Sequence, residues 1–429
     1  MALGWCSGWA WRQTPVAQRP PTGLTTITTP NNVTLRYKES GTEGVCETTP
    51  GVRSYAGYVD LAPDSHTFFW FFESRRDPTN DPVTLWLNGG PGSDSLIGLF
   101  EELGPCHINS SYDSFINPYS WNEVSNLLFL SQPLGVGFSY SETEAGSLNP
   151  FTGVVENASF AGFFKYFQEQ NEKIAKGTVA GVHLDFNSLG IINGIIDEAI
   201  QASYYPEFAV NETVYNYMKF ANKMPNGCQD QIDSCKETNR SSLADYAICT
   251  EAANMCRDNV EGPYYQFGGR GVYDIRHLYE DPEPPSYYTQ SSSEVFYAFQ
   301  QTGDFVWLNF IEDLEEILKL PVRLSLIYGD ADYICNWFGG QAISLAVDYA
   351  HAAYGQTRES GNLSFTRVYE AGHEVPYYQP TAVLQLFNRT LFGWDIAAGI
   401  TQISLRYNTN GISQATHSES LVPPPTHSI

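Results

Sequence analysis

Val83-Thr-Leu-Trp-Leu-Asn-Gly-Gly-Pro-Gly92 is a short apolar strand that runs without a break into a glycine turn. Valine, leucine and tryptophan in succession suit a strand buried on both faces. The turn that follows can bring main-chain N–H groups close to a ligand, because glycine admits backbone conformations closed to other residues. Upstream, residues 52–73 alternate through Tyr55, Gly57, Tyr58 and Val59 and then Thr67-Phe-Phe-Trp-Phe-Phe72, which predicts a strand pair turning at Pro63-Asp64. Downstream, Leu127-Leu-Phe-Leu130, Leu189-Gly-Ile-Ile-Asn-Gly194 and residues 322–328 read as further buried strands. Helical spacing falls at Phe163, Phe164, Phe167 and Ile174 with a stop at Gly177, and again over 310–320 and 341–354. Strands alternating with helices predict an α/β fold, a mainly parallel central sheet flanked by helices.

The chain has 429 residues, 42% of them hydrophobic and 17% charged, which excludes a small disulfide scaffold and general disorder. Its net charge of −25 would repel nucleic-acid phosphates, so nucleic acid is not an expected partner. No stretch reaches the roughly 20 continuous apolar residues of a membrane span. Cys228, Cys235, Cys249 and Cys256 crowd into one polar, loop-like stretch and read as structural disulfides. With no Cys-x-x-Cys pair and no His/Cys cluster at zinc spacing, neither a metal nor another cofactor is expected. Seven glycosylation sequons, at Asn32, Asn109, Asn157, Asn211, Asn239, Asn362 and Asn388, point to a secretory route. Residues 1–18 nevertheless hold no apolar run of roughly 7 to 15 residues from which a signal peptide could be read.

Composition shifts divide the chain. We expect an N-terminal extension over 1–46, a core first part over 47–200, an inserted cap subdomain over 201–292, a core second part over 293–400 and a disordered tail over 401–429. Tyr328-Gly-Asp-Ala-Asp332 lies where a buried strand ends, and His373 follows in Ala371-Gly-His-Glu-Val-Pro376. An acid and then a histidine, each on a loop after a strand, match the late members of an α/β-hydrolase triad in chain order.

Trp86-Leu-Asn-Gly-Gly-Pro-Gly92, Gly98-Leu-Phe-Glu-Glu-Leu-Gly-Pro105, Asn117-Pro-Tyr-Ser-Trp-Asn122, Gln132-Pro-Leu-Gly-Val-Gly-Phe-Ser-Tyr-Ser141, Gly329-Asp-Ala-Asp-Tyr-Ile-Cys-Asn-Trp337 and Gly372-His373 together resemble the serine carboxypeptidases, a family of the α/β-hydrolase fold, in its fungal type. The resemblance runs from about residue 52 to 395. It implies that His373 is the general base and acid, that Asp332 in preference to Asp330 orients it, and that Gly90 supplies an oxyanion N–H. It further implies that Asn88, Gly89 and Glu102 bind the substrate's terminal carboxylate, with Glu102 protonated and donating at low pH.

The nucleophile of that family sits in a Gly-Glu-Ser-Tyr-Ala-Gly type elbow, and no Gly-x-Ser-x-Gly pentapeptide occurs in this chain. Ser54 in Ser54-Tyr-Ala-Gly57 precedes the oxyanion segment and reads as the start of a strand. Ser159 lies in the right interval, but only 17 residues separate it from Ser141. A parallel crossover with its helix takes roughly 30 residues. A crossover helix, a strand and the nucleophile turn are therefore expected to be deleted, leaving an incomplete sheet prone to aggregation. A second gap is expected near Tyr288-Thr-Gln290 and a smaller one near Val210-Asn211. Ser93 stands where the family has a cysteine, and Cys335 is either a free thiol lining the pocket or an inert buried one.

The expected function is removal of C-terminal residues from peptides at acid pH through an acyl-enzyme, in an extracellular or vacuolar setting, with this chain inactive for want of the serine. Peptide and protein C-termini are the expected partners. A non-catalytic peptide-binding glycoprotein and an acyltransferase or esterase on the same scaffold are the alternatives, because fold alone does not fix function.

Overall fold

A computed structural model describes residues 23–29, 33–40, 45–141, 170–239, 242–280, 284–285, 287–288, 291–301, 303–307, 309–347 and 357–409. Its strands are β1 (Thr25–Thr28), β2 (Thr34–Ser40), β3 (Ser54–Ala62), β4 (Ser65–Phe72), β5 (Val83–Trp86), β6 (Cys106–Ile108), β7 (Ser114–Ile116), β8 (Asn126–Leu130), β9 (Tyr140–Ser141), β10 (Ser188–Ile192), β11 (Arg323–Gly329), β12 (Thr357–Ser360) and β13 (Leu363–Val368). One sheet runs β1-β2-β3-β4-β8-β5 with β9 also on β4, a second runs β10-β11-β13-β12, and β6 and β7 form a hairpin.

The sheets are mixed. Parallel pairing is confined to β5 with β8 and to β10-β11-β13, and the outer strands pair antiparallel. The expected mainly parallel sheet is thus limited to the strands that carry site loops, because β1 to β4 are joined by short connections that permit only antiparallel neighbours. β5 ends one sheet and β10 ends the other, and among the described residues no strand joins those two edges. A single apolar cluster still spans both sheets. Phe72, Leu127 and Phe129 of the first, with Leu99 of the short helix Gly98–Glu102, pack with Ile327 and Val368 of the second and with Ala371 and Val375 after it. Each fully buried side chain of this size contributes about 1.5–3 kcal/mol.

The strand pair at Pro63-Asp64 forms as expected, and Ser54 opens β3 with its hydroxyl donating to Ser40 O. Three expectations change. The sequence reading left residues 1–46 as an extension, yet β1 and β2 extend the first sheet, held through the backbone of β3 in place of an apolar pattern. Residues 401–409, expected to be part of a disordered tail, are ordered, and 410–429 lie outside the described residues. Residues 401–409 are tied down by Thr401 N–H and O contacts around Asp395, by Gly361 N donating to Tyr407 O and by Thr409 N donating to Glu359 O. The helix expected from 341 starts earlier, at Trp337–Ala346, because the Asn336 side chain accepts from Gly339 N and caps it. Of the helix expected from Phe163, residues 170–175 are helical; 142–169, with Phe163 and Ser159, lie outside the described residues.

Between β10 and β11 the chain is helical, with Glu212–Lys223, Cys228–Lys236, Leu243–Cys256 and Gly262–Gly268 around an apolar cluster of their own. Cys228–Cys256 and Cys235–Cys249 clamp two of these helices together, and Cys46–Cys106 ties the chain before β3 to β6. Asn117-Pro-Tyr-Ser-Trp-Asn122 acts as a brace beneath the first sheet. Asn122 donates to Glu47 and to Glu73 O, and the buried Arg75 joins Glu47, Glu123 and Asn117 O. No helix of the described residues is long and apolar enough to cross a membrane.

Candidate active site

β11 delivers Gly329-Asp-Ala-Asp332, and the loop after β13 delivers His373. The two loops touch: Ala331 N donates to Ala371 O, and a Cβ on Gly329 would lie 2.3 Å from Gly372 O, so only glycine fits there. His373 Nδ1 lies 2.9 Å from Asp332 Oδ2, with the carboxylate fully buried and the imidazole 30% exposed. Asp330 instead accepts from Ala371 N and faces Arg367, so it braces the histidine loop without reaching the ring.

Burial pushes the Asp332 carboxyl up, and the adjacent imidazole acts against that. Burial opposes protonation of His373, but Asp332 and Cys335 hold its pKa well above the ordinary value. Cys335 is buried beside the ring, and burial pushes its thiol up to about 11, which favours the inert neutral form. Among the described residues, no serine or threonine hydroxyl is bonded to His373.

On the opposite wall β5 leads to Asn88. Its Oδ1 accepts from Trp86 Nε1 at 2.7 Å and from Gly98 N, while its Nδ2 donates to Glu102 Oε1 at 3.2 Å. Gly89 and Gly90 beyond it are exposed, and Gly90 has φ +136°, a conformation that favours glycine. Glu102 is almost fully buried on the short helix Gly98–Glu102. Burial, then the neighbouring Glu374 carboxyl, pushes its pKa up to about 8. Glu374, beside His373, is pushed by burial up to about 7. Two acids that hold protons at mildly acidic pH thus stand next to the amide of Asn88 and the imidazole.

The structure brings Asp332, His373 and Cys335 together on one wall and Asn88 and Glu102 on the other, linked through Glu374. A family model described as serine carboxypeptidase matches residues 44–179 and 278–393. The chain belongs to the serine carboxypeptidase family. Carboxypeptidase S1 homolog A of Arthroderma otae is 34% identical to it over 550 aligned positions, taking in 94% of this chain and 84% of that protein. Carboxypeptidase S1 of Penicillium janthinellum is 33% identical over 416 positions, 81% of this chain and 97% of that protein. The crystal structure of Kex1(delta)p, a prohormone-processing carboxypeptidase from Saccharomyces cerevisiae, has a similar fold, with a TM-score of 0.50 at 19% identity, covering 85% of this chain and 93% of that one. The Arthroderma alignment is longer than the 429 residues of this chain, so stretches of the relative have no counterpart here.

Three neighbours of the family's site loops escaped the sequence reading. Asn193, at the end of β10 with φ +45°, donates to Gly372 O and His373 O and accepts from Gly329 N, so one side chain ties both loops. A polar residue before glycine at the end of an apolar strand was its only signal. Tyr273, from the helical insertion, places its ring 5.1 Å from the imidazole and accepts from His373 N. Glu374 was quoted in a motif but given no role. Of the sequons, Asn211 and Asn239 are exposed, Asn109, Asn362 and Asn388 are half-buried, and Asn32 and Asn157 lie outside the described residues.

Proposed function

We propose that this chain keeps the carboxylate-recognising cleft of a serine carboxypeptidase but lacks its attacking hydroxyl, so that it binds peptide C-termini without cleaving them. The observation that carries this reading is a His373–Asp332 pair with no described hydroxyl on it, beside two sheet edges, β5 and β10, that no strand among the described residues joins. The nucleophile strand of the family would run between those edges, and an alignment longer than this chain agrees with residues missing from it.

In an intact member, His373 would take the serine proton and return it to the leaving amine, and Asp332 would stabilise the imidazolium. Gly90 N–H would face the oxyanion. Asn88 and a protonated Glu102 would donate to the terminal carboxylate, which fits the raised pKa of Glu102 and favours acid pH. Without the serine no acyl-enzyme forms, and His, Asp and the glycine turn leave only a residual rate. Three disulfides and two exposed sequons support an extracellular or vacuolar setting.

The test is titration of a blocked dipeptide with a free carboxylate at about pH 5, reading binding and hydrolysis separately. We expect saturable binding that weakens at least tenfold when the carboxylate is amidated, with no turnover. Turnover that disappears in His373→Ala would overturn the reading, and absence of binding would remove its recognition half.

A further inference from the structure

We propose that Asp332, Cys335 and His373 form a binding site for a zinc-class divalent cation. A carboxylate oxygen, the thiol sulfur and an imidazole nitrogen of these residues all lie within 4.8 Å of one another. Zinc binds such donors at about 2.0–2.3 Å, so two donors sharing one tetrahedral ion stand roughly 3–4 Å apart. Side-chain adjustments of about 1–2 Å would close the set on an ion.

The backbone around the donors is already fixed. Asp332 and Cys335 share one turn, in which Tyr333 N and Ile334 N donate to Val272 O and Cys335 N donates to Asp332 Oδ1. The loop of His373 is held by Asn193 and by Tyr273 O. Asp332 and Cys335 are buried, so little water need be displaced from them, while the partly exposed imidazole side leaves an approach and room for a fourth ligand. A second feature is Glu198, which is buried, has an Oε2 without a hydrogen-bond partner, and lies close enough for its charge to act on Cys335.

The donor chemistry selects the metal. Thiolate with imidazole and one carboxylate suits zinc or cobalt, whereas magnesium and calcium demand six or more oxygens. Every other described cysteine is in a disulfide, so Cys335 is the one described thiol that can serve. On binding, the thiol proton and one of the two protons of the imidazolium pass to solvent, and the ring keeps the other on the nitrogen that does not face the ion. Sequence spacing hid the set, because the third donor comes from a separate loop 38 residues after the second. The proposal is independent of whether the chain hydrolyses peptides.

The test is titration of the chelator-treated full chain with cobalt(II) chloride. We expect one equivalent to give a thiolate-to-cobalt charge-transfer band with the visible bands of tetrahedral cobalt, and one equivalent of zinc to abolish both. Cys335→Ala should lose the charge-transfer band, and His373→Ala should weaken binding at least tenfold, with both apo variants melting within a few degrees of the parent. X-ray absorption of the zinc-loaded parent gives the same answer without a variant: one sulfur at about 2.3 Å supports the site. No charge-transfer band, a band that survives Cys335→Ala, or a shell of nitrogen and oxygen alone would overturn it.

Discussion

Asn193 meets three backbone groups at the heart of the site: two carbonyls of the histidine loop and the N–H of Gly329. Leaving a buried backbone group unpaired costs about 1–3 kcal/mol. Its positive φ is also better tolerated by asparagine than by most residues. Asn193→Leu should therefore destabilise the chain by at least about 2 kcal/mol in urea unfolding, and Asn193→Asp, which keeps the acceptor for Gly329, by less. A loss within experimental error for Asn193→Leu would remove Asn193 from this role. Asp332 was legible because it follows the strongly apolar β11, and His373 because it follows a glycine in a motif that comes after the acid in chain order. Asn193, Tyr273 and the approach of Cys335 to His373 were not, because what unites them is spatial contact between loops far apart in the chain.

At the scale of elements, strands with apolar runs were readable and strands without them were not. β4, β5, β8 and β11 announce themselves through Phe, Leu, Trp and Val, whereas β1, all exposed and rich in threonine, is held by its ladder to β2. The early start of the Trp337–Ala346 helix was missed because its cap, Asn336, sits inside a stretch first read for its catalytic motif. The cysteine-rich insertion was read as loop-like, yet its polar residues cover the outside of short helices joined by disulfides. Cys228 and Cys256 are 28 residues apart, and a cross-link of that span contributes about 3 kcal/mol. Cys228→Ala with Cys256→Ala should lower stability by about that amount while leaving the His373–Asp332 contact intact, as read by thermal unfolding and by the imidazole proton resonance. An unchanged melting temperature would show that helix packing alone holds the insertion.

For the whole molecule, the buried acids set a common pH dependence. Glu102 is pushed up to about 8, Glu374 and Glu261 up to about 7, and Glu198 well above the usual range, each first of all by burial. An unfolded glutamate loses its proton near pH 4.3. Between about pH 4.3 and 8 the folded chain holds protons that the unfolded chain has released, so raising the pH favours unfolding. The melting temperature should fall by several degrees from pH 5 to pH 8, and Glu102→Gln should flatten part of that fall. A melting temperature that rises over this range would contradict the assignment of these acids as protonated. The fold class was legible because apolar strands and glycine turns alternate over most of the chain. That no strand among the described residues joins β5 to β10 was not legible strand by strand, because pairing is a property of the assembled sheet.

The central claim is that the base and its orienting acid stand in this molecule without a serine to activate. A fluorophosphonate probe at acid and neutral pH, followed by peptide mapping, measures this directly. The account predicts no stoichiometric labelling of any serine. Labelling of one serine that is lost in His373→Ala would contradict it.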